Sequence, residues 1–305
     1  MGKMGWWAAL GLPLQAGAAD TPPRERLAER FAARQAGDGF TLGAGSFELP
    51  RGASVERDIA YGTDPAQQLD VYRPAAAKGA PVIFLAHGGG WNRGDKGGLR
   101  AVKNKVIHWV GKGYVLVSIN YRVLPQARPL EQADDVAKAL AFVQSKAASW
   151  GGDPAKVVLV GHSAGAHLLS LMSADPTIAT RVGALPWLGT VAIDSAAFDV
   201  VRIMNERHFG LYDKAFGADP AYWRDASPLH RLTAKLAAPL LAVCSSRRSD
   251  SCAQAQGFAG KAQGLGGRVT VLPVDLSHMD ANDQLGMPGP YTDAVDSFLR
   301  TLGLS

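Results

Sequence analysis

Val157-Val158-Leu159-Val160-Gly161-His162-Ser163-Ala164-Gly165-Ala166-His167-Leu168-Leu169 is the stretch on which the fold turns. An unbroken apolar run gives way to a Gly-flanked turn, and a helix-like run then continues to Ala174. Strand, sharp turn and helix is the setting in which Gly-x-Ser-x-Gly lifts a serine hydroxyl clear of a sheet. The serine there is held in a strained conformation, and a Cβ on either flanking glycine would strike the neighbouring strand or helix. The free N–H groups and the dipole of the following helix face the same point. Ser163 is therefore the candidate nucleophile. By chance alone the pattern arises in about one in five chains of this composition, so its context carries the weight.

Working outward, apolar runs at Val82–Ala86, Tyr114–Ile119, Gly189–Ile193, Leu240–Cys244 and Val269–Val274 read as further strands. Between them lie helix-like segments at Leu99–Gly111, Leu130–Ser149, Ser251–Leu265 and Tyr291–Leu302. Near-continuous apolar strands alternating with amphipathic helices imply an α/β fold: a mostly parallel, doubly wound sheet with helices on both faces. Ligands of such a sheet sit beyond the carboxyl ends of its strands. Val55–Tyr61 and Leu69–Tyr72, separated by the turn signal Gly62-Thr63-Asp64-Pro65, read as an antiparallel edge. Residues 198–236 break the rhythm: Phe198, Phe209, Tyr212, Phe216, Tyr222 and Trp223 stand among polar residues without a period. That segment is expected to be a cap insertion over the carboxyl edge, within a domain spanning 55–305.

Directly after the strand Val82–Ala86 comes His87-Gly88-Gly89-Gly90-Trp91. Glycines in that place let bare N–H groups approach a ligand and bind a developing oxyanion, the role expected of Gly89 and Gly90 together with Ala164. His-Gly-Gly-Gly arises by chance in about one chain in a hundred, which makes it the more specific of the two signals. His87 itself reads as a structural residue of the loop. Trp91, beside the glycines, and Trp223, in the insertion, are the candidate substrate contacts.

A serine needs a base, and the base an orienting acid. Of the seven histidines, His108 and His167 fall within helices, His208 and His230 lie in the insertion, and His162 is expected to point away from its neighbour Ser163. His278 follows the last strand on the carboxyl edge and is the candidate base. Asp250, in the loop after Leu240–Cys244, is the expected acid, giving the chain order nucleophile, acid, base. Asp194 and Asp199 follow an earlier strand and are the minor alternative.

Taken together, His87-Gly88-Gly89-Gly90-Trp91, Gly161-His162-Ser163-Ala164-Gly165-Ala166-His167, the Asp250 loop and Ser277-His278 resemble the α/β-hydrolase superfamily. Within it the chain is most similar to the esterase branch of hormone-sensitive-lipase-like, feruloyl-esterase-like and kynurenine-formamidase-like proteins. Trp91 stands where the hormone-sensitive-lipase pattern commonly has Phe and suits the other two groups better. The resemblance implies a serine carboxylesterase acting on small or aromatic esters through an acyl-enzyme, without a cofactor or metal. An arylformamidase of the same fold is the alternative, and an inactive binding protein a minor one.

Composition bounds the partners. The chain has 305 residues, 47% of them hydrophobic, enough for a sizeable core. Its net charge of +5 is scattered, with no basic run beyond Arg247-Arg248, which argues against nucleic-acid binding and leaves a small-molecule ester as the expected partner. Near the start, Lys3, the apolar run Trp6–Leu14 and the small residues Ala16-Gly17-Ala18-Ala19 read as a signal peptide over 1–19, cleaved after Ala18 or Ala19. An arm and glycine-rich linker over 20–54 follow it. The expectation is an exported protein, periplasmic or secreted, without stable membrane insertion. In an oxidising compartment Cys244 and Cys252 would close a short loop worth roughly 2.5 kcal/mol, bracketing Asp250; in a reducing one they stay separate thiols.

Overall fold

The computed structural model describes residues 1–2 and 47–304, so 3–19 of the expected signal peptide and 20–46 of the arm and linker lie outside the described residues. Eight strands form one sheet: β1 (Ser54–Ala60), β2 (Gln68–Arg73), β3 (Ala80–Ala86), β4 (Val115–Ile119), β5 (Gly152–His162), β6 (Gly189–Ile193), β7 (Leu240–Ser245) and β8 (Val269–Val274). Their order is β1-β2-β4-β3-β5-β6-β7-β8. The β1–β2 and β2–β4 pairs are antiparallel, and every other pair is parallel. The sequence expectation of a mostly parallel doubly wound sheet with an antiparallel edge is met.

Alternation along the central strands explains why the sheet needs two layers of helix. Val82, Phe84, Val157 and Leu159 point into one core, whereas Ile83, Leu85, Val158 and Val160 point into another on the opposite face. The second core is covered by α1 (Leu99–Lys105), which runs on through a wide π-helical turn at Val106–Val110. The first is covered by α2 (Pro129–Lys146), whose start is set by Pro129 in the first turn and by the Glu131 carboxylate accepting the Arg128 N–H at 2.7 Å. Beside it runs α3 (Ala164–Ala174), every residue of which is buried. A helix apolar on all sides is stable only in such a position, between sheet and neighbouring helices. After it comes the short α4 (Thr177–Thr180).

The insertion between β6 and β7 folds into α5 (Val200–Asn205), α6 (Gly210–Phe216), α7 (Pro220–Asp225) and α8 (Pro228–Arg231). Each is four to seven residues long, so none completes the two turns over which a hydrophobic period becomes readable. Local chemistry still sets their starts: Asp199 accepts the Arg202 N–H at 3.0 Å, Asp219 accepts that of Ala221 at 2.9 Å, and Pro220 and Pro228 open their helices. The cap is tied to the body by Arg128, which lies 3.6 Å over the Tyr222 ring and donates to the Phe216 oxygen at 3.1 Å. Chain order ends with α9 (Ser251–Gly264), α10 (His278–Asp283) and α11 (Pro290–Thr301), the last packed against the second core through Val295 and Leu299.

Candidate active site

Ser163 sits between the end of β5 and the start of α3 at φ 54° and ψ −118°, a region that side chains other than glycine seldom adopt. Its backbone is fixed on both sides: the Ser163 N–H donates to the Ile193 oxygen at 2.8 Å, and its own oxygen accepts the His167 N–H at 3.0 Å. The flanking glycines are steric requirements. A Cβ on Gly165 would lie 2.4 Å from the backbone oxygens of Ala86 and His87, and one on Gly161 would lie 2.8 Å from the Gly165 carbon. Gly88 touches the nucleophile directly, since a Cβ there would come within 3.0 Å of Ser163 Cβ. The glycine run alone points to its later members, Gly89 and Gly90, and gives Gly88 no separate role.

Beyond Gly88 the backbone enters the left-handed region for three consecutive residues, with φ of 134° at Gly89, 59° at Gly90 and 61° at Trp91. The loop stays in place because its far end is bolted to the antiparallel edge. Lys96 Nζ lies 2.6 Å from Asp58 and 2.9 Å from the fully buried Asp70, and its backbone oxygen accepts the Ser118 hydroxyl at 2.8 Å. Ala164 is the first residue of α3, so its N–H is one of the four that the helix itself does not bond. His87 serves the loop's structure: its ring stacks on Tyr121 at 4.5 Å, and its oxygen accepts the Tyr121 hydroxyl at 2.8 Å. Burial pushes its imidazole pKa down.

His278 opens α10, with Ser277 capping it by accepting the Asp280 N–H at 3.1 Å. Its Nε2 lies 3.0 Å from Ser163 Oγ, and its Nδ1 lies 2.5 Å from Oδ2 of Asp194. The acid at the base is thus Asp194, and the expectation for Asp250 is corrected. Asp194 is the first residue past β6, at φ 50°, and its carboxylate is completely buried. Oδ1 accepts the Ser245 N–H at 2.8 Å and the Ser251 hydroxyl, while Oδ2 accepts from Arg248 at 2.9 Å as well as from His278. Burial by itself would raise this carboxyl, but the His278 bond and the Arg248 charge outweigh it and hold the group well below the usual carboxylate range.

Asp250 fails as the acid for a geometric reason. The loop after β7 turns at once into α9, and Arg248, not Asp250, reaches inward from it, placing Nη1 3.0 Å from His278 Nδ1. The Asp250 carboxylate remains outside, about half exposed, 3.7 Å from Arg248 Nε. A disulfide joins Cys244 to Cys252 across this loop. Arg248 carried no sequence signal beyond lying between the two cysteines.

Trp91 and Trp223, expected at the substrate, are placed as packing residues. Trp91 is only 3% exposed, donates its indole N–H to His167 Nδ1 at 3.2 Å, and meets Tyr212 and Phe216 of α6 at ring distances of 5.8 and 5.0 Å. Trp223 donates to the Gly217 oxygen at 2.9 Å within the cap. His167 completes the joint by donating Nε2–H to the Ala226 oxygen at 2.7 Å, and burial lowers its imidazole pKa to about 4. Among the described residues, no three His, Cys, Asp or Glu side chains gather as a metal site. No helix among them is long and apolar enough to cross a membrane.

Residues 69–184 match the BD-FAE family model. The chain is 29% identical over 208 residues to Esterase LipC of Mycobacterium tuberculosis, covering 63% of this chain and 50% of that one. It is 30% identical over 266 residues to the probable carboxylic ester hydrolase LipM of the same organism, covering 78% and 59% respectively. The chain thus spans about half the length of these curated relatives. Among solved structures, Esterase B from Lactobacillus rhamnosis superposes with a TM-score of 0.71 at 19% identity, covering 92% of this chain and 94% of that one.

Proposed function

We propose that the chain is an α/β-hydrolase, a serine carboxylesterase that hydrolyses small or aromatic carboxylic esters through an acyl-enzyme. The observation that carries the reading is the unbroken line from Ser163 Oγ to His278 Nε2 at 3.0 Å and from His278 Nδ1 to Asp194 at 2.5 Å. Relatives named as esterases support it.

In this reading Ser163 Oγ attacks the ester carbonyl carbon while His278 Nε2 takes its proton. The carbonyl π pair moves to oxygen, and the N–H groups of Gly89, Gly90 and Ala164 receive the resulting charge. Each such donor contributes about 3–4 kcal/mol of transition-state stabilisation. Collapse of the tetrahedral intermediate breaks the bond to the alcohol oxygen, which leaves with the proton from His278. A water then gives its proton to His278 and attacks the acyl carbon; collapse of the second tetrahedral intermediate breaks the bond to Ser163 Oγ, releases the acid and returns the proton from His278 to Ser163. Asp194 stays ionised throughout, orienting the imidazole and balancing the imidazolium.

Residues 1–19 are proposed to direct export to an oxidising compartment; the Cys244–Cys252 bond favours such a destination. The amino terminus of the recovered protein tests this, with Ala19 or Asp20 expected as its first residue and an intact Met1 contradicting it. Activity is tested by kcat/KM for p-nitrophenyl butyrate, ethyl ferulate and N-formylkynurenine, with Ser163→Ala as control. Turnover of the esters that Ser163→Ala abolishes is the expected result. Preference for the formyl amide would replace the esterase reading with a formamidase one.

A further inference from the structure

The Cys244–Cys252 loop encloses all three groups, other than His278, that bond the Asp194 carboxylate: the Ser245 N–H at 2.8 Å, the Ser251 hydroxyl and Arg248 at 2.9 Å. Two of these are neutral donors on Oδ1. Arg248 differs, because it is charged and shares Oδ2 with the imidazole. Its Nη1 also lies 3.0 Å from His278 Nδ1. Nδ1–H and Nη1–H are both donors, so this contact is not a hydrogen bond; it sets a guanidinium charge beside the ring that must accept the Ser163 proton.

We propose that Arg248 is a positioning residue of the hydrolysis: its guanidinium fixes Asp194 Oδ2 on His278 Nδ1 and sets a fixed positive charge beside the imidazole that takes the Ser163 proton. The proposal rests on the serine-hydrolase reading above. A positive charge that near disfavours a second one on the ring, and the guanidinium is largely withdrawn from water, its side chain 20% exposed. The loop is braced for the purpose, by the disulfide on one side and by Tyr212 of α6 against the guanidinium on the other.

The other groups around His278 do not supply this charge. His162, on the nucleophile turn, has its ring 4.5 Å away and is held neutral by burial. On α10 itself, Asp280 is engaged by Ser277. Lys105 of α1 bonds Asn282 at the far end of that helix, 2.6 Å from its backbone oxygen, and Asp283 stands beside it. From α11, the Tyr291 hydroxyl donates to the Ala281 oxygen at 2.9 Å and carries no charge, since burial raises its pKa. Asp250, 3.7 Å from Arg248 Nε, opposes the guanidinium from outside.

The test is the pH profile of kcat/KM for p-nitrophenyl butyrate, whose acid limb reports the free enzyme's base. Arg248→Gln keeps an N–H for Asp194 and removes the charge; its acid limb is expected about one pH unit higher than the wild type's. Arg248→Lys is expected to restore the limb, and the half-exposed Asp250→Asn, which strips the opposing carboxylate, to move it lower. Because Asp250 lies outside the core, that variant keeps the test decisive should Arg248→Gln not fold. A limb unmoved in both Arg248→Gln and Asp250→Asn, or moved equally by Arg248→Lys, overturns the proposal, since a packing role would change thermal stability and kcat alone. Turnover that survives Ser163→Ala overturns the serine-hydrolase reading and this one with it, whereas Ser163-dependent turnover with a fixed limb overturns this one alone.

Discussion

His162, the residue before the nucleophile, is hydrogen-bonded to the base: its Nε2–H donates to the backbone oxygen of His278 at 2.9 Å, and the two rings lie 4.5 Å apart. His162 is expected to point away from Ser163, and its ring engages the backbone of His278. The acceptor is a carbonyl, so the proton must be on Nε2, and burial followed by the His278 charge holds the ring well below the usual imidazole pKa. Neutral His162 therefore ties the nucleophile turn to α10 without adding charge.

Loss of that tie should displace the base. His162→Ala is expected to lower kcat by about ten- to a hundredfold, and His162→Gln, which retains an N–H donor, to recover most of the loss. Steady-state kinetics on p-nitrophenyl butyrate checks this, and equal kcat in wild type and His162→Ala would remove the positioning role.

Asp194 and Asp250 predict opposite outcomes for the same substitution. Asp194→Asn leaves the geometry but offers His278 Nδ1 the wrong partner, so kcat should fall by about 10³–10⁴. Asp250→Asn, at the half-exposed edge of the loop, should stay within about threefold of wild type at neutral pH. A reversed ranking would return the acid to the loop after β7.

Much of this arrangement was legible in the chain, and the reasons for the misses are local. The parallel strands announce themselves because both faces of Val157–Val160 and its neighbours are buried, and α3 begins and ends at Ala164 and Ala174, as the apolar run does. His278 stands out because it follows the last strand. The acid does not, because an aspartate directly after β6 and one after β7 look alike in sequence. What separates them is the fold, which buries the Asp194 carboxylate 2.5 Å from His278 Nδ1 and leaves that of Asp250 at the half-exposed edge of its loop. Trp91 and Trp223 were expected at the substrate; Trp91, in the loop after β3, packs against Tyr212 and Phe216, and Trp223 bonds the Gly217 oxygen, partners that aromatics without a period do not disclose.

Three buried histidines set the acid stability. Burial lowers the folded-state pKa of His87, His162 and His167, the last to about 4. A lowered folded value means their contribution is fully present above the unfolded value of about 6.5 and is lost as pH falls toward the folded values. Urea midpoints should therefore drop between about pH 6.5 and pH 4, with a slope of at most about 1.4 kcal/mol per pH unit for each histidine. A flat profile across that window would show that these rings are not buried and neutral.

The anchor of the glycine loop is a separate test of stability. Asp70 is fully buried and depends on Lys96 at 2.9 Å and Arg57 at 3.1 Å. Lys96→Met strips its best buried partner and should cost about 3–5 kcal/mol in urea unfolding, with kcat falling as the Gly88–Gly90 backbone loosens. The double variant Lys96→Met/Asp70→Asn should regain part of the stability by removing the stranded charge. No recovery in the double variant would mean that the pair is not coupled.

The central claim, that Ser163 is acylated with His278 as its base, is tested most directly by locating the adduct of an alkyl fluorophosphonate by peptide mass spectrometry in wild type and His278→Ala. A single adduct on the peptide carrying Ser163, formed at a rate that falls by about a thousandfold or more in His278→Ala, is the predicted result. An adduct on another residue, no adduct at all, or equal labelling rates in the two proteins would contradict it.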